Sequence, residues 1–221
     1  MSSRAHPGLF LTFEGPEGSG KTSQMRALAE FLRGQGYPVL TTREPGGTPI
    51  GLRIRDVLLD PQFGDMTPRA EVLLFLADRA QHVDQVIRPA LERGDIVLCD
   101  RYADSTLAYQ GYGHRHFDLE QLRALIEFAT GGLWPDRTFL LDIAPEEGLA
   151  RNGAQRDRLE GHALDFHRRV RQGYLEMAAA EPGRWVVLDA TQHWDAIQDQ
   201  LRRHVQTLIQ ARRAAQVPPR G

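Results

Sequence analysis

The chain has 221 residues, enough for one large core or one domain with an insertion, and its 41% hydrophobic and 25% charged residues are typical of a soluble globular protein. The formal net charge of −2 excludes a general basic surface for nucleic acid. Cys99 is the only cysteine, which excludes an intrachain disulfide, and no stretch approaches the roughly 18 apolar residues of a membrane span.

The first predicted element is a buried strand, residues 9–14, followed by a glycine-rich turn and a helix that begins near Gly20. Residues 15–22 fit the phosphate-binding pattern of a glycine, any four residues, and Gly-Lys-Ser/Thr. In this pattern the glycines and the helix N-terminus direct backbone N–H groups at phosphate oxygens. Lys21 adds a mobile charge, and the Thr22 hydroxyl is a ligand for Mg²⁺. The residues assigned to the ATP phosphates are Gly15, Pro16, Glu17, Gly18, Ser19, Gly20, Lys21 and Thr22.

Strands and helices alternate along the rest of the chain. Further strands are predicted at residues 39–42, 96–99, 138–142 and 185–189. Helices are predicted at about residues 20–33, 50–59, 69–87, 104–109, 119–129, 146–150, 164–180 and 194–212. Pro89 either kinks the long helix or begins a second segment that ends at Gly94. The alternation predicts an α/β fold with a five-stranded parallel sheet, right-handed crossovers, and helices on both faces.

Charged residues stand at the carboxyl ends of the predicted strands: Glu14, Arg43, Asp100, Asp142 and Asp189. Ligands of open parallel sheets bind at those ends, so we expect one active cleft there. Asp100 has the position of the acidic residue that holds Mg²⁺ in phosphate-loop enzymes, although a carboxylate there could instead cap a turn.

Three arginines from separate elements, Arg43, Arg79 and Arg101, could also face the cleft. The planar guanidinium forms bidentate bonds with phosphate, but each arginine alone could equally form a surface ion pair. Together with Lys21 they indicate a second phosphate group. This favours a kinase of a phosphorylated acceptor over a plain ATPase.

Phe75 lies in the apolar run 72–77, which predicts a helix that is buried nearly all round. Such a phenylalanine is normally a core residue, but one turn before Arg79 it could stack on a base. The polar groups able to read a base edge are Ser105, Thr106, Tyr109 and Gln110. The tryptophans Trp134, Trp185 and Trp194 are predicted to be packing residues, and the eight histidines show no metal-ligand spacing.

Five motifs, in order between about Leu9 and Val205, resemble those of thymidylate kinases. They are residues 13–22 (FEGPEGSGKT), 42–48 (TREPGGT), 75–79 (FLADR), 100–111 (DRY, then Ser105 and AYQG) and 157–158 (DR). The resemblance implies a three-layer phosphate-loop kinase fold and the reaction ATP + dTMP → ADP + dTDP with Mg²⁺. It further implies a homodimeric, cytoplasmic enzyme of dTTP synthesis whose partners are ATP, dTMP and a second copy of the chain, without nucleic acid or membrane.

The resemblance also implies roles for individual residues on the side of the phosphates. Lys21 would serve the ATP phosphates, and Thr22 and Asp100 would serve Mg²⁺. Arg43 and Arg101 would bind the acceptor phosphate, so that Lys21, Asp100 and Arg101 belong to the catalytic set.

On the side of the nucleoside, the resemblance places Glu17 near the sugar 3′-hydroxyl of dTMP and Tyr109 beneath the deoxyribose. Phe75 would stack on thymine, and Arg79 would meet its carbonyl edge. Ser105 and Thr106 would meet the N3 side of the base, beside Gln110 as a further substrate-binding residue.

Residues 151–158 resemble the arginine-bearing lid of the family, but the segment is shorter and has fewer arginines than the bacterial pattern. Because the phosphate loop carries no arginine of its own, the catalytic cation is expected from this segment. Arg156 is the first candidate and Arg151 the second.

The domain prediction is a single unit, residues 1–221, with a lid at about 150–160 and frayed ends at 1–7 and 214–221. Residues 1–8 lack the apolar core of a signal peptide, so a cytoplasmic location is expected. Three other functions stay open: a kinase of another nucleotide or nucleoside, a GTP-binding switch, and a fold that binds phosphate without catalysis. An Asn-Lys-x-Asp motif for guanine does not occur in the sequence.

Overall fold

A computed structural model describes residues 6–151, 158–159 and 162–216 of the chain. The sheet consists of β1 Leu9–Glu14, β2 Val39–Arg43, β3 Ile96–Asp100, β4 Arg137–Asp142 and β5 Trp185–Asp189. The strands of this part of the chain are all parallel and lie in the order β2-β3-β1-β4-β5. The predicted α/β fold with a five-stranded parallel sheet is therefore confirmed.

Helices connect the strands. They are α1 Lys21–Gly34, α2 Pro49–Leu59, α3 Pro68–His82, α4 Arg88–Arg93, α5 Ala103–Thr106, α6 Leu119–Thr130, α7 Pro145–Arg151, α8 Leu164–Ala180 and α9 Trp194–Gln216. Two π-helical segments, Val83–Ile87 and Leu107–Gly113, follow α3 and α5. The helix bounds agree with the predictions within a few residues, whereas the π-helical segments were not predicted. Helix α9 extends into the end, 214–221, that was predicted to be frayed.

Strand β1 is the centre of the molecule because all six of its residues are buried. Leu9, Leu11 and Phe13 join the apolar core that contains side chains of α1 and α9. Phe10 joins the core on the other face, which contains side chains of α6 and α8. Since side chains alternate along a strand, Glu14 lies on the same face as Phe10. Helices therefore cover both faces of the sheet, and the carboxyl group of Glu14 ends up inside the protein.

The phosphate loop leaves β1 between its two neighbours, β3 and β4, where the strand order reverses. Such a switch point opens a crevice at the carboxyl ends of the strands. Two glycines fit the loop into this space. Gly20 has φ +82°, a left-handed conformation, and a Cβ atom on Gly18 would lie 2.0 Å from the carbonyl oxygen of Gly148.

Two packing predictions were wrong. The run 72–77 is not buried on all sides, because α3 lies in an outer layer between α2 and α6 and leaves Leu73 59% exposed. Trp194 is 42% exposed at the start of α9, whereas Trp185 is buried and Trp134 packs against the core as predicted. Within the described residues, no helix is long and apolar enough to cross a membrane.

Candidate active site

A cleft of about 710 Å³ lies at the carboxyl ends of β1, β2 and β3. It brings together most of the predicted site residues: Glu17, Gly18, Gly20, Lys21, Thr22, Arg43, Phe75, Arg79, Asp100, Arg101, Ser105, Thr106, Tyr109 and Gln110. Among the described residues, Gly15, Pro16, Ser19 and Arg151 are predicted site residues that do not line it. Arg156 lies outside the described residues.

The expectation that all five charged strand ends share the cleft was too broad. Arg43 and Asp100 line the cleft, but among the described residues Glu14, Asp142 and Asp189 do not. Arg171 binds both carboxylate oxygens of Asp142, at 2.7 and 2.8 Å. Asp189 accepts a bond from the backbone N–H of Thr191 at 2.9 Å. These two carboxylates follow β4 and β5, on the other side of β1 from the cleft.

The first residues of α1 carry the groups that are predicted to bind phosphate. The Nζ atom of Lys21 donates to the carbonyl oxygens of Gly15 at 3.0 Å and Pro16 at 2.8 Å. Burial, together with the positive charge of Arg101, lowers the pKa of Lys21 to about 8. The Thr22 hydroxyl donates to the Asp100 carboxylate, which joins the loop to the end of β3. A hydroxyl and a carboxylate side by side are the hard oxygen donors that Mg²⁺ prefers.

Arg101 forms the centre of a polar cluster opposite the loop. Its Nη2 atom donates to Glu17 Oε1 at 2.5 Å and to the Tyr109 hydroxyl at 3.0 Å. The same guanidinium lies over the Tyr109 ring, 5.0 Å from its centroid. Although burial alone would raise the pKa of Glu17, the charges of Arg101 and Lys21 lower it to about 2. Glu17 is therefore ionised, and the groups predicted to meet the acceptor phosphate and sugar lie together.

Arg79 is a buried residue and not part of a surface ion pair. Its Nε atom donates to Glu44 Oε2 at 2.7 Å, Nη1 to Thr106 Oγ1 at 2.9 Å, and Nη2 to the Tyr102 carbonyl at 3.0 Å. The other carboxylate oxygen of Glu44 binds Nδ1 of His82 at 2.9 Å. Glu44 thus fixes the guanidinium group of Arg79 at the wall of the cleft, and Arg79 in turn binds the Thr106 hydroxyl beside it.

Phe75 combines both of its predicted environments. It forms a small apolar cluster with Leu58 and Leu159, and it also lines the cleft one helical turn before Arg79. Leu58 is fully buried and is not among the described residues that line the cleft.

A second carboxylate, Glu71 of α3, joins the π-helical segment to Arg158 in the predicted lid. Gln110 Nε2 donates to its Oε1 at 2.7 Å, and Arg158 Nη2 donates to its Oε2 at 2.5 Å. Burial would raise the pKa of Glu71, but His114, whose Nε2 lies 3.5 Å from Oε1, the hydrogen bond from Gln110 and the charge of Arg158 lower it to about 2. Arg151 instead ends α7, bound to Glu147 at 2.5 Å.

Several site residues were missed from the sequence. From the sequence, Glu14 is predicted only to end a strand at the cleft, and no functional role is predicted for Glu44, Glu71 or Tyr174. Glu14 and Tyr174 are 160 positions apart and meet only through the packing of α8. The acidic residue directly before Gly15 was the one signal that could have drawn attention to this pair.

Comparison with known proteins agrees with this geometry. The profile of the family described as thymidylate kinase matches residues 13–201. A thymidylate kinase of Deinococcus radiodurans is 56% identical over 197 residues, which cover 88% of this chain and 94% of that protein. A thymidylate kinase of an Exiguobacterium species is 52% identical over 196 residues, covering 88% and 92%.

A solved structure supports the same relationship at the level of the fold. The crystal structure of thymidylate kinase from Ehrlichia chaffeensis superposes with a TM-score of 0.73 and 33% identity. It covers 90% of this chain, and the match covers 98% of that protein. On the family profile, the curated relatives and the cleft, the chain belongs to the thymidylate kinase family of enzymes.

Proposed function

We propose that this protein transfers the γ-phosphoryl group of ATP to dTMP and so forms dTDP. Its family membership supports the reaction. One observation supports the assignment of this reaction to particular residues. The phosphate loop and the cluster of Glu17, Arg101 and Tyr109 line the same cleft as Phe75 and Arg79. The cleft thus offers a cationic region for two phosphate groups beside an aromatic wall for a base.

On the donor side, the loop N–H groups and Lys21 hold the phosphates of ATP in line with the acceptor. Phosphoryl transfer needs little covalent help, so positioning and charge neutralisation supply most of the catalysis. The adjacent oxygens of Thr22 and Asp100 fit a site for Mg²⁺, which when bound supplies charge neutralisation at the phosphates. Lys21 is buried in this setting, where its charge is screened less than at the surface.

On the acceptor side, Arg43 and Arg101 bind the phosphate of dTMP. Glu17, held ionised by its cationic neighbours, accepts a hydrogen bond from the sugar 3′-hydroxyl. Phe75 stacks on the base, Arg79 and Thr106 meet its polar edge, and Tyr109 lies beneath the deoxyribose. Ser105 and Gln110 complete this side of the cleft.

The chain acts as one kinase domain, residues 1–221, in the cytoplasm. Residues 150–160 form its lid, of which 152–157 and 160 lie outside the described residues. Arg156 supplies the cation at the transferred phosphate. Arg158 is bound to Glu71 and to the Leu58 carbonyl, and Arg151 is bound to Glu147, so both have other partners in the structure.

The enzyme works as a homodimer through a surface formed by α2, α3 and α6. These helices pack side by side, α3 against both α2 and α6, and they carry exposed apolar side chains. The side chains are Ile50, Leu73, Leu125 and Phe128, the last of which is 90% exposed. Clustered apolar exposure of this kind marks a surface that a partner covers.

An assay of ADP release with different acceptors tests the proposed reaction. We compare dTMP, dUMP, thymidine, AMP and GMP at saturating Mg·ATP. We expect dTMP to be the best acceptor and thymidine a poor one, because Arg43 and Arg101 lose their partner without the phosphate. Faster turnover of another nucleotide would assign a different acceptor, and slow hydrolysis of GTP without an acceptor would assign a switch.

The first prediction concerns charge at the phosphates. Lys21→Ala and Asp100→Asn should each lower kcat by on the order of 100-fold or more, because each removes a charge that stabilises the transferring group. Steady-state kinetics at saturating Mg·ATP measures the loss, and circular dichroism checks that each variant folds. Near-normal turnover in either folded variant would show that the phosphate site is elsewhere.

The second prediction concerns Phe75. Phe75→Ala should raise KM for dTMP far more than KM for ATP, with a loss of roughly 1–3 kcal/mol by analogy with base–aromatic stacking. Leu58→Ala is the matched control, because it opens the same apolar cluster without changing the lining of the cleft. We expect that control to lower Tm and to leave KM for dTMP near normal. Equal changes of both KM values in Phe75→Ala would make Phe75 a core residue only.

The third prediction concerns the lid arginine. Arg156→Ala should lower kcat on the order of 10³-fold with little change in KM for dTMP, as expected for an arginine that acts on the transition state. Arg151→Ala and Arg158→Ala serve as comparisons. The assignment fails if Arg156→Ala retains most of its kcat while either comparison variant loses it.

The fourth prediction concerns the dimer. Phe128→Asp and Leu73→Asp should convert the dimer to monomer, because each places a charge in an apolar interface. Trp194→Asp is the control: it changes another exposed aromatic residue, at the start of α9 and away from the three helices. Sedimentation equilibrium reports the mass. A wild-type chain that is monomeric at assay concentration would contradict the proposed surface.

A further inference from the structure

Glu14, the last residue of β1, has no exposed surface and is held by three donors. Its Oε1 atom accepts a bond from the backbone N–H of Tyr102 at 2.7 Å. Its Oε2 atom accepts bonds from Ser105 Oγ at 2.6 Å and from the Tyr174 hydroxyl at 2.9 Å. These three hydrogen bonds stabilise the buried carboxylate, because burying a charged group without partners would strongly destabilise the fold.

Each of these three donors also supports Arg101. Tyr102 is the next residue in the chain, and Ser105 Oγ and the Tyr174 hydroxyl lie 3.3 and 3.2 Å from Nη1 of Arg101. Arg101 itself has φ +66°, an uncommon conformation for a residue with a side chain, and its N–H donates to the Phe13 carbonyl at 3.0 Å. The bonds to Glu14 therefore act on the peptide after Arg101 and on two groups that contact its head.

The direction of these hydrogen bonds depends on the charge of Glu14. Ser105 and Tyr174 have one hydroxyl hydrogen each, and an ionised carboxylate can only accept. Both hydroxyls can then donate to Glu14, and their oxygens, which also lie 2.9 Å from each other, offer lone pairs to Arg101, which can only donate. A protonated carboxyl or an amide at position 14 would donate to one hydroxyl. The hydrogen of that hydroxyl would then turn away from Glu14, and one of its two lone pairs would be occupied by the new donor, which leaves a weaker acceptor for Arg101.

We propose that Glu14, in its ionised form, is a positioning residue that orients Arg101 toward the acceptor phosphate through Tyr102, Ser105 and Tyr174. The inference rests on the proposed role of Arg101 as a ligand of that phosphate. Glu14 itself acts from behind the cleft, because among the described residues it is not part of the lining.

The charge environment makes this device sensitive to pH. The titratable and charged groups around Glu14 are Asp104 of α5, Arg101 and Tyr102 after β3, Cys99 of β3, Lys21 of α1 and Tyr174 of α8. Burial and the charge of Asp104 raise the pKa of Glu14 to about 7, against the smaller lowering effects of Arg101 and the two hydroxyls. Arg184 binds both carboxylate oxygens of Asp104, at 2.6 and 2.9 Å.

The sign of the pH effect follows from that value. Above about pH 7 Glu14 is ionised and Arg101 is oriented. As the pH falls through 7, protons bind to Glu14 and the support of Arg101 is lost. Affinity for dTMP should therefore fall on the acid side, whereas affinity for ATP should change little.

The experiment measures kcat and both KM values from pH 5.5 to 9 for the wild type and for Glu14→Gln. We expect Glu14→Gln to raise KM for dTMP roughly 10- to 100-fold, the range of a hydrogen bond to a charged group, with KM for ATP within about twofold. In the wild type, kcat/KM for dTMP should decline as the pH falls through about 7. In Glu14→Gln that decline should be lost, and only the decline caused by the substrate phosphate, with a pKa of about 6, should remain, as it does in all variants.

Two further variants make the result specific. Tyr174→Phe should raise KM for dTMP by a smaller factor and retain the acid decline, because Glu14 still titrates. Thr12→Val is the matched control: Thr12 is buried on the same face of β1 and binds Thr138 at 2.9 Å, not Arg101. That control should leave both KM values and the pH profile unchanged.

Calorimetric binding of dTMP and of thymidine gives a readout without turnover. Glu14→Gln should weaken binding of dTMP and spare thymidine, because the lost support acts on the phosphate ligand. If Glu14→Gln does not fold, Tyr174→Phe takes its place in this comparison, because Tyr174 is not among the described residues that line the cleft.

The outcomes separate the two proposals. A wild type that neither binds nor phosphorylates dTMP overturns the proposed function, and this inference with it. An active wild type whose Glu14→Gln variant keeps its KM for dTMP and its acid decline overturns the role of Glu14 alone. Equal losses for dTMP and thymidine, or for dTMP and ATP, would show a general structural role and would also overturn it.

Discussion

The ion pair between Arg101 and Glu17 joins the end of β3 to the phosphate loop, and the geometry of the cleft depends on it. The two side chains are only 16% and 19% exposed, and their atoms meet at 2.5 Å. A charge so far from water needs nearly complete pairing, and the hydroxyls of Tyr109, Ser105 and Tyr174 supply the remaining bonds of the guanidinium. The charges of Arg101 and Lys21 keep Glu17 ionised although burial opposes it, and the enclosure preserves the strength of charge interactions in the predicted phosphate site.

Arg79 repeats this arrangement elsewhere in the cleft. There the carboxylate comes from Glu44, at the end of β2, and a hydroxyl and a carbonyl complete the fork. In both places a carboxylate on one element fixes an arginine on another, so each guanidinium is oriented before a ligand arrives. A lysine could not replace either arginine, because its single ammonium group lacks the planar set of donors that these three-sided pockets satisfy. The cost of ordering long side chains is thereby met during folding and not during binding.

Local patterns were enough to predict most of the fold. The apolar run of β1, the glycines of the loop and the helical spacing of α1 predicted the strand, turn and helix that the structure has, and the strand ends predicted that Arg43 and Asp100 face the cleft. The sequence could not show that Glu44 turns inward to Arg79, because that contact spans 35 positions and depends on how α3 packs. It also could not show the π-helical segment Leu107–Gly113, since widened turns have no residue signature and arise here against α8.

The π-helical segment lies between two buried carboxylates, Glu14 and Glu71, whose pKa values are shifted in opposite directions. Its Tyr109 contacts the Arg101 cluster, which Glu14 supports, and its Gln110 binds Glu71. Burial and the charge of Asp104 raise the pKa of Glu14 to about 7, whereas Glu71 accepts bonds from Gln110 and Arg158 and its pKa falls to about 2. Near neutral pH a proton therefore binds to Glu14, which supports Arg101. Glu71 stays ionised at that pH and keeps its bond to Arg158. The bond between Glu71 and Arg158 of the predicted lid is thus insensitive to pH in a range where the orientation of Arg101 is not.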